Sequence, residues 1–222
     1  MKGILSFDVG IVHLAFCMVK VPIPTPTRKK AALTDADTDT PPPPPQPTIG
    51  TILDWDIICL AEDGEKAKKI PLATLGRRLF ARLDTIWEQW KDDMDYVLIE
   101  NQPSRLNGHM KSVQMLIYAY FLYKSDTLET LLVNASGKLK THEVASAQAL
   151  LECPCPYADG YKKNKWMSIR ICDYYIRNDD ALKARMAAHK KKDDLCDALL
   201  QALGWYHKTF KSVLGSVSSP SL

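Results

Sequence analysis

The chain has 222 residues, 46% of them hydrophobic and 25% charged, with a net charge of +3. That length and apolar content suit one domain with a sizeable core, and no apolar run is long enough to span a bilayer. So small a positive excess does not by itself mark a nucleic-acid binder, and the six cysteines fit reduced thiols better than a disulfide framework: only Cys153 and Cys155 are close, in a C-P-C spacing unlike the usual zinc motifs.

Residues 4–9 read as a buried strand, with Ile4, Ser6 and Asp8 on one face and Leu5, Phe7 and Val9 on the other. Gly10 permits a tight turn, and the apolar residues 11–20 read as a second strand. Residues 21–50 hold most of the prolines, including the run Pro41 to Pro45. Such a segment buries too little apolar surface to offset its ordering entropy, so it is predicted to be a disordered insertion of polyproline II character. Residues 51–60 return to a strand pattern and form a hairpin with the second strand across that long connection. Leu72, Leu75, Leu79, Leu83, Ile86, Trp87 and Trp90 recur at helical spacing. A short strand over 95–100 ends in Glu100. An apolar helix over 110–124 carries Tyr118, Tyr120 and Phe121, read as core or dimer-interface residues. A strand over 130–135 and helices over 166–177 and 192–207 complete the order.

Three strands in a meander, followed by two strands alternating with helices, predict an α/β fold: a mixed five-stranded sheet flanked by helices, in ribonuclease H-like order. The domain is predicted to span 1–208, interrupted by the insertion at 21–50 and followed by a flexible tail at 209–222.

Asp8 interrupts an apolar strand near its end and Glu100 closes another, and strand carboxyl ends are where open α/β sheets gather their ligands. Asp194 and Asp197 lie three apart on the last helix and share a face; Asp193 and Asp197, four apart, share one too. Singly, each has a plain reading: a turn residue, a loop start, or acids that complement a helix N-terminus. Together they form a constellation, provided that the first and fourth strands are neighbours and the last helix packs across them. Converging carboxylates raise one another's pKa unless a cation is present, and hard oxygen donors suit Mg²⁺ or Mn²⁺. A pair of such ions can activate water and stabilise the leaving oxygen of a phosphodiester.

The segments LSFDVGIVHLAFC (residues 5–17), VLIENQPSRLNGHMKSVQMLIYAYF (97–121), YKKNKWMSI (161–169) and KKDDLCDALLQALGW (191–205) carry a combination of motifs that resembles the RuvC-like Holliday junction resolvases of poxviruses and other large DNA viruses. They are similar, less closely, to mitochondrial cruciform-cutting endonucleases of fungi. The resemblance implies a metal-dependent endodeoxyribonuclease with a ribonuclease H-like fold, acting as a homodimer on four-way junctions in viral DNA recombination and concatemer processing. It assigns Asp8 to the first-strand aspartate, Glu100 to the glutamate of the IE-Q motif, and Asp194 and Asp197 to the C-terminal pair. Asp193 fits the fungal D-x-x-x-D spacing, which leaves two candidates beside Asp197. The important basic residue before the third helix matches Lys165, with Lys163 next. His13 stands where asparagine is common, and the insertion is a further departure.

In the implied mechanism Asp8 bridges two Mg²⁺ ions, Glu100 and Asp197 hold one each, Asp194 completes the set and Lys165 stabilises charge on the phosphate. DNA contacts are expected from Asn101, Gln102, Arg105, Lys111, Lys162, Lys163 and Lys165, and from Lys190, Lys191 and Lys192. The lack of a visible leader predicts an intracellular protein, in the cytoplasm or at a virus replication site, with no membrane partner. Two other readings compete: a nuclease of this fold acting on flaps, forks or hybrids, and a non-catalytic junction-binding protein.

Overall fold

The computed structural model describes residues 1–23, 50–102, 108–134, 138–158 and 160–215, with side chains up to residue 210. Five strands, β1 (Lys2–Asp8), β2 (Leu14–Val21), β3 (Thr51–Ile58), β4 (Tyr96–Glu100) and β5 (Glu129–Val133), form one sheet in the order β3-β2-β1-β4-β5. The first three pair antiparallel, whereas β4 lies parallel to both β1 and β5. This is the mixed sheet expected from the order of elements.

Strand alternation divides the core in two. Leu5, Phe7, Val97 and Ile99 project into one cluster, which is closed by α1 (Leu72–Trp90) and α2 (Gly108–Lys124). Ile4, Ala15, Cys17 and Leu98 project into the other, closed by α4 (Gly160–Ile176) and α6 (Lys192–Gly215). The stripe Leu75, Leu79, Leu83 and Ile86 buries α1 along the predicted face. Tyr120 and Phe121 are core residues of α2, and Tyr118 packs at its edge.

The elements differ from the sequence expectation in two added helices and in two helix boundaries. Two further helices are present, α3 (Glu143–Glu152) and α5 (Asp180–Ala188). α3 buries only Ala145 and Ala149, a stripe too narrow to stand out in sequence. α4 starts at Gly160 rather than residue 166, so Lys163 and Lys165 lie within the helix rather than ahead of it. α6 continues past residue 207 to Gly215, because Trp205 and Phe210 pack on Tyr96 and prolong the apolar face into the predicted tail. Residues 24–49 of the Pro-rich insertion and residues 216–222 lie outside the described residues. Among the described residues, no helix is long and apolar enough to cross a membrane.

Candidate active site

The register that pairs Ser6 with Leu98 and Phe7 with Ile99 carries Asp8 and Glu100 to adjoining strand ends on the α6 face of the sheet. Their carboxyl groups share a hydrogen bond. Burial, that bond, and the charges of Glu100 and Asp197 push the Asp8 carboxyl well above its usual range; the Lys138 ammonium pulls the other way. Gln102 Nε2 donates to Glu100 Oε2 at 2.8 Å and to the Val9 carbonyl at 3.4 Å. Its backbone N–H donates to the buried Gln114 Oε1 at 2.8 Å, and Lys111 Nζ joins Gln114 and Asn101 at 3.2 and 3.0 Å. A network rooted in α2 therefore fixes the glutamate.

Two buried contacts seat α6 over these strand ends. The Trp55 indole N–H donates to the Leu195 carbonyl at 2.7 Å, and Gln201 Nε2 donates to Ser6 Oγ at 2.9 Å and the Phe7 carbonyl at 3.1 Å. The first turns of α6 then deliver three aspartates. Asp193 forms a short ion pair with Lys165 of α4; burial would raise its pKa, but the lysine holds it below its ordinary value. Asp194 is raised by burial and by the charge of Asp193. Asp197 Oδ1 accepts from Ser168 Oγ at 2.5 Å, and its Oδ2 faces Lys138 Nζ at 2.7 Å. Glu100, Tyr161 and Asp194 line both of two adjoining cavities, of about 500 and 640 Å³. Asp193, Asp197 and Lys165 close one of them, and Asp8, His13 and Gln102 the other.

Carboxylates from three distant segments thus meet in one cleft, two of them at adjoining strand ends. As hard oxygen donors they fit a divalent cation in their chemistry. Among the described residues, however, no three His, Cys, Asp or Glu side chains are arranged to hold one ion together. Besides Lys165, which pairs with Asp193, a positive charge among them is the Lys138 ammonium. Burial would lower its pKa, but Asp197, Asp8 and Glu100 outweigh that and raise it.

No protein-family model matches the chain. An uncharacterized protein of Acanthamoeba polyphaga mimivirus is 31% identical over 152 residues, 64% of this chain and 36% of that protein, so the chain spans about a third of the length of the curated relative it matches. Among solved structures, the yeast mitochondrial Holliday junction resolvase Ydc2 matches with a TM-score of 0.55 and 15% identity, over 97% of this chain and 86% of that one. Thermus thermophilus RuvC matches with a TM-score of 0.50 and 16% identity, over 96% and 97%. The fowlpox virus resolvase, solved with Holliday junction DNA, matches with a TM-score of 0.50 and 13% identity, over 98% and 100%. The fold is that of the RuvC-type resolvases.

On this RuvC-type fold the predicted residues separate by surroundings. Asp8, Glu100, Asp194 and Asp197 gather in the cleft, and Lys165 reaches it through Asp193. Gln102, proposed as a DNA contact, donates its side-chain amide to Glu100 and to the Val9 carbonyl. Asn101 bonds Asn134 and Lys111, and Lys163 reaches the Ala158 carbonyl at 3.4 Å, on the outer side of α4. Lys191 and Lys192 flank the first turn of α6 and act electrostatically on Asp193 and Asp173 respectively. Arg105 lies outside the described residues. Sequence reasoning missed Lys138 and Ser168. Lys138 had one usable signal: it follows β5, whose carboxyl end lies at the same rim as those of β1 and β4.

Proposed function

We propose that the chain is a metal-dependent endonuclease that resolves four-way DNA junctions by paired phosphodiester hydrolysis. The observation that carries the reading is the meeting of Asp8, Glu100, Asp194 and Asp197 in one cleft of a RuvC-type sheet. The names of the similar structures support it: those described above are called Holliday junction resolvases or RuvC, and one was solved on junction DNA.

Two Mg²⁺ ions, replaceable by Mn²⁺, held by Asp8, Glu100, Asp194 and Asp197 would supply an activated water and neutralise charge on the phosphodiester. The chain's own residues do the rest. Burial beside Glu100 favours the protonated form of Asp8, which would be ionised when the cations are held. Gln102 and Gln114 keep Glu100 aimed at the cleft. Lys165 is oriented by Asp193 at the cleft wall, where its ammonium meets a phosphate oxygen. Arg105, Lys111, Lys163, Lys191 and Lys192, with Asn101, make phosphate contacts that position the duplex arms.

A homodimer sets two such clefts on symmetric strands. Supporting this, α2 is apolar on both faces: Val113, Ile117 and Phe121 are buried, while Met115, Leu122 and Tyr123 are exposed. The setting is intracellular, in the cytoplasm or at a virus replication site. The test is cleavage of a synthetic four-way junction with and without Mg²⁺, mapping both cut strands beside a flap, a fork, a linear duplex and an RNA–DNA hybrid. Symmetric Mg²⁺-dependent nicks on the junction alone are expected. Preference for a flap, fork or hybrid rejects the junction assignment, and tight junction binding without cutting under any condition rejects the catalytic one.

A further inference from the structure

A further cavity of about 500 Å³ lies beyond Lys138 from the carboxylate cleft. Asn134 at the end of β5, Lys138 and Thr141 of the 3-10 turn Lys138–Thr141, and Gln201, Trp205 and Lys208 along one face of α6 contribute to its lining. Lys138 lines this cavity and the carboxylate cleft alike, so the two adjoin across one side chain. Gly204 makes the arrangement possible. A Cβ there would come within 2.8 Å of Thr141 Oγ1 and 3.5 Å of the Lys138 carbonyl, so the glycine lets the turn seat against α6.

The lining has a definite chemistry. Among the described residues its charged groups are Lys138 and Lys208, with no aspartate or glutamate. Asn134 and Thr141 offer hydrogen-bonding groups in the lining, and the side-chain Oε1 of Gln201 is buried without a partner among the described residues. The half-buried Trp205 adds an aromatic surface. Cations beside an aromatic wall and amide groups are the components of a nucleotide site, and the volume lies within the range of roughly 300–1,000 Å³ common for small-ligand pockets.

We propose that this cavity is a subsite for the nucleotide next to the scissile phosphate. Its phosphate lies between Lys138 and Lys208, and its base lies against Trp205 within reach of Asn134. The inference rests on the nuclease reading, which places the cut phosphodiester in the adjoining cleft. A nucleotide at a branch point is already partly unstacked and enters such a cavity at less cost than one within a duplex.

The test uses two readouts on the full chain. The first is equilibrium binding of a 5′-phosphorylated deoxytrinucleotide to wild type, to an Asn134→Ala, Lys208→Ala double variant, and to Lys183→Ala, which alters a remote surface ion pair. The double variant should bind about tenfold more weakly and the control like wild type. The second is cleavage of junctions carrying one abasic site, moved along the cut strand. Wild type should slow at one position beside the cut, and the double variant should be indifferent to it. Equal trinucleotide affinity in wild type and double variant, or equal sensitivity of both to the abasic site, overturns the subsite. If wild type cuts no junction yet binds the trinucleotide through these residues, the cavity assignment stands and the resolvase reading falls.

Discussion

Lys138 Nζ lies 2.7 Å from Asp197 Oδ2, in the wall of a cleft where the charges of Asp8 and Glu100 also act on it. The lysine is thus an internal counter-charge for a group of acids that would otherwise repel one another. Replacing it with the similarly sized but neutral Met leaves those acids uncompensated. Lys138→Met should lower the stability of the metal-free protein by about 1–3 kcal/mol, the scale of a buried polar group left without its partner. Mg²⁺ should raise the melting temperature of the variant more than that of wild type. Equal stabilisation by Mg²⁺ in both proteins would show that lysine and cation do not share the same acids.

Asp8 is buried against Glu100 with its carboxyl pKa raised, so Asp8→Asn should keep the fold while removing the chemistry. An asparagine at this strand end can still hydrogen-bond Glu100 and carries no charge. Junction cleavage should fall by at least about 10³-fold, a loss on the scale of the transition-state stabilisation such groups supply. The melting temperature of the metal-free protein should not fall. A variant that cuts at the wild-type rate in Mg²⁺ removes Asp8 from the mechanism.

The two neighbouring aspartates of α6 should behave differently. Asp193 is paired with Lys165, whereas Asp194 lines both cavities beside Glu100. Asp194→Asn should therefore cost about 10²-fold or more in cleavage, and Asp193→Asn about tenfold, through loosening of Lys165. The ordering of the two losses in single-turnover assays is the check; a reversed order makes Asp193 the cleft acid.

Gln201 ties α6 to β1 through Ser6 and the Phe7 carbonyl, one residue before Asp8. Gln201→Leu breaks both bonds and buries Ser6 without that donor, a change worth about 1–3 kcal/mol of stability. The maximal rate should fall while the affinity for junction DNA stays near that of wild type, because the residue positions the acids. Chemical denaturation and single-turnover cleavage read the two effects separately.

The raised Asp8 carboxyl predicts a pH dependence with a definite sign. A folded-state pKa above the ordinary value of 3.8 means that the folded chain binds this proton more tightly than the unfolded chain. The contribution is fully present below the ordinary value and is lost as the pH rises through the raised one. Without metal, melting temperatures should therefore drop across that interval, and Asp8→Asn should flatten the slope. An unchanged slope in that variant assigns the dependence to another group.

Much of this site is legible in the sequence because carboxylates that break apolar patterns are conspicuous. Asp8 and Glu100 each close a strand whose central residues are buried, and the strand order places them side by side. Asp194 and Asp197 stand out against Leu195, Ala198 and Leu199 for the same reason. What is not legible depends on long-range packing. Lys138 sits in a polar turn, and its role comes from the docking of that turn on α6, held by His142 Nε2 at 3.1 Å from the Leu200 carbonyl. Asp193, unlike Asp194, is paired with Lys165 on another helix, which local spacing cannot register. Gln102 follows a motif glutamate and reads equally well as a DNA contact or as that glutamate's partner; only the structure shows its amide turned inward.

The parallel pairing of β1 with β4, roofed by α6, also sets when the chain can act. Asp8 belongs to the first strand and its partners Asp194 and Asp197 to the last helix, so no partial chain holds a complete cleft. Long-range contacts of this kind form late, after their loop-closure entropy has been met. A growing or half-folded chain therefore lacks part of the cleft, which is assembled only when the final helix docks.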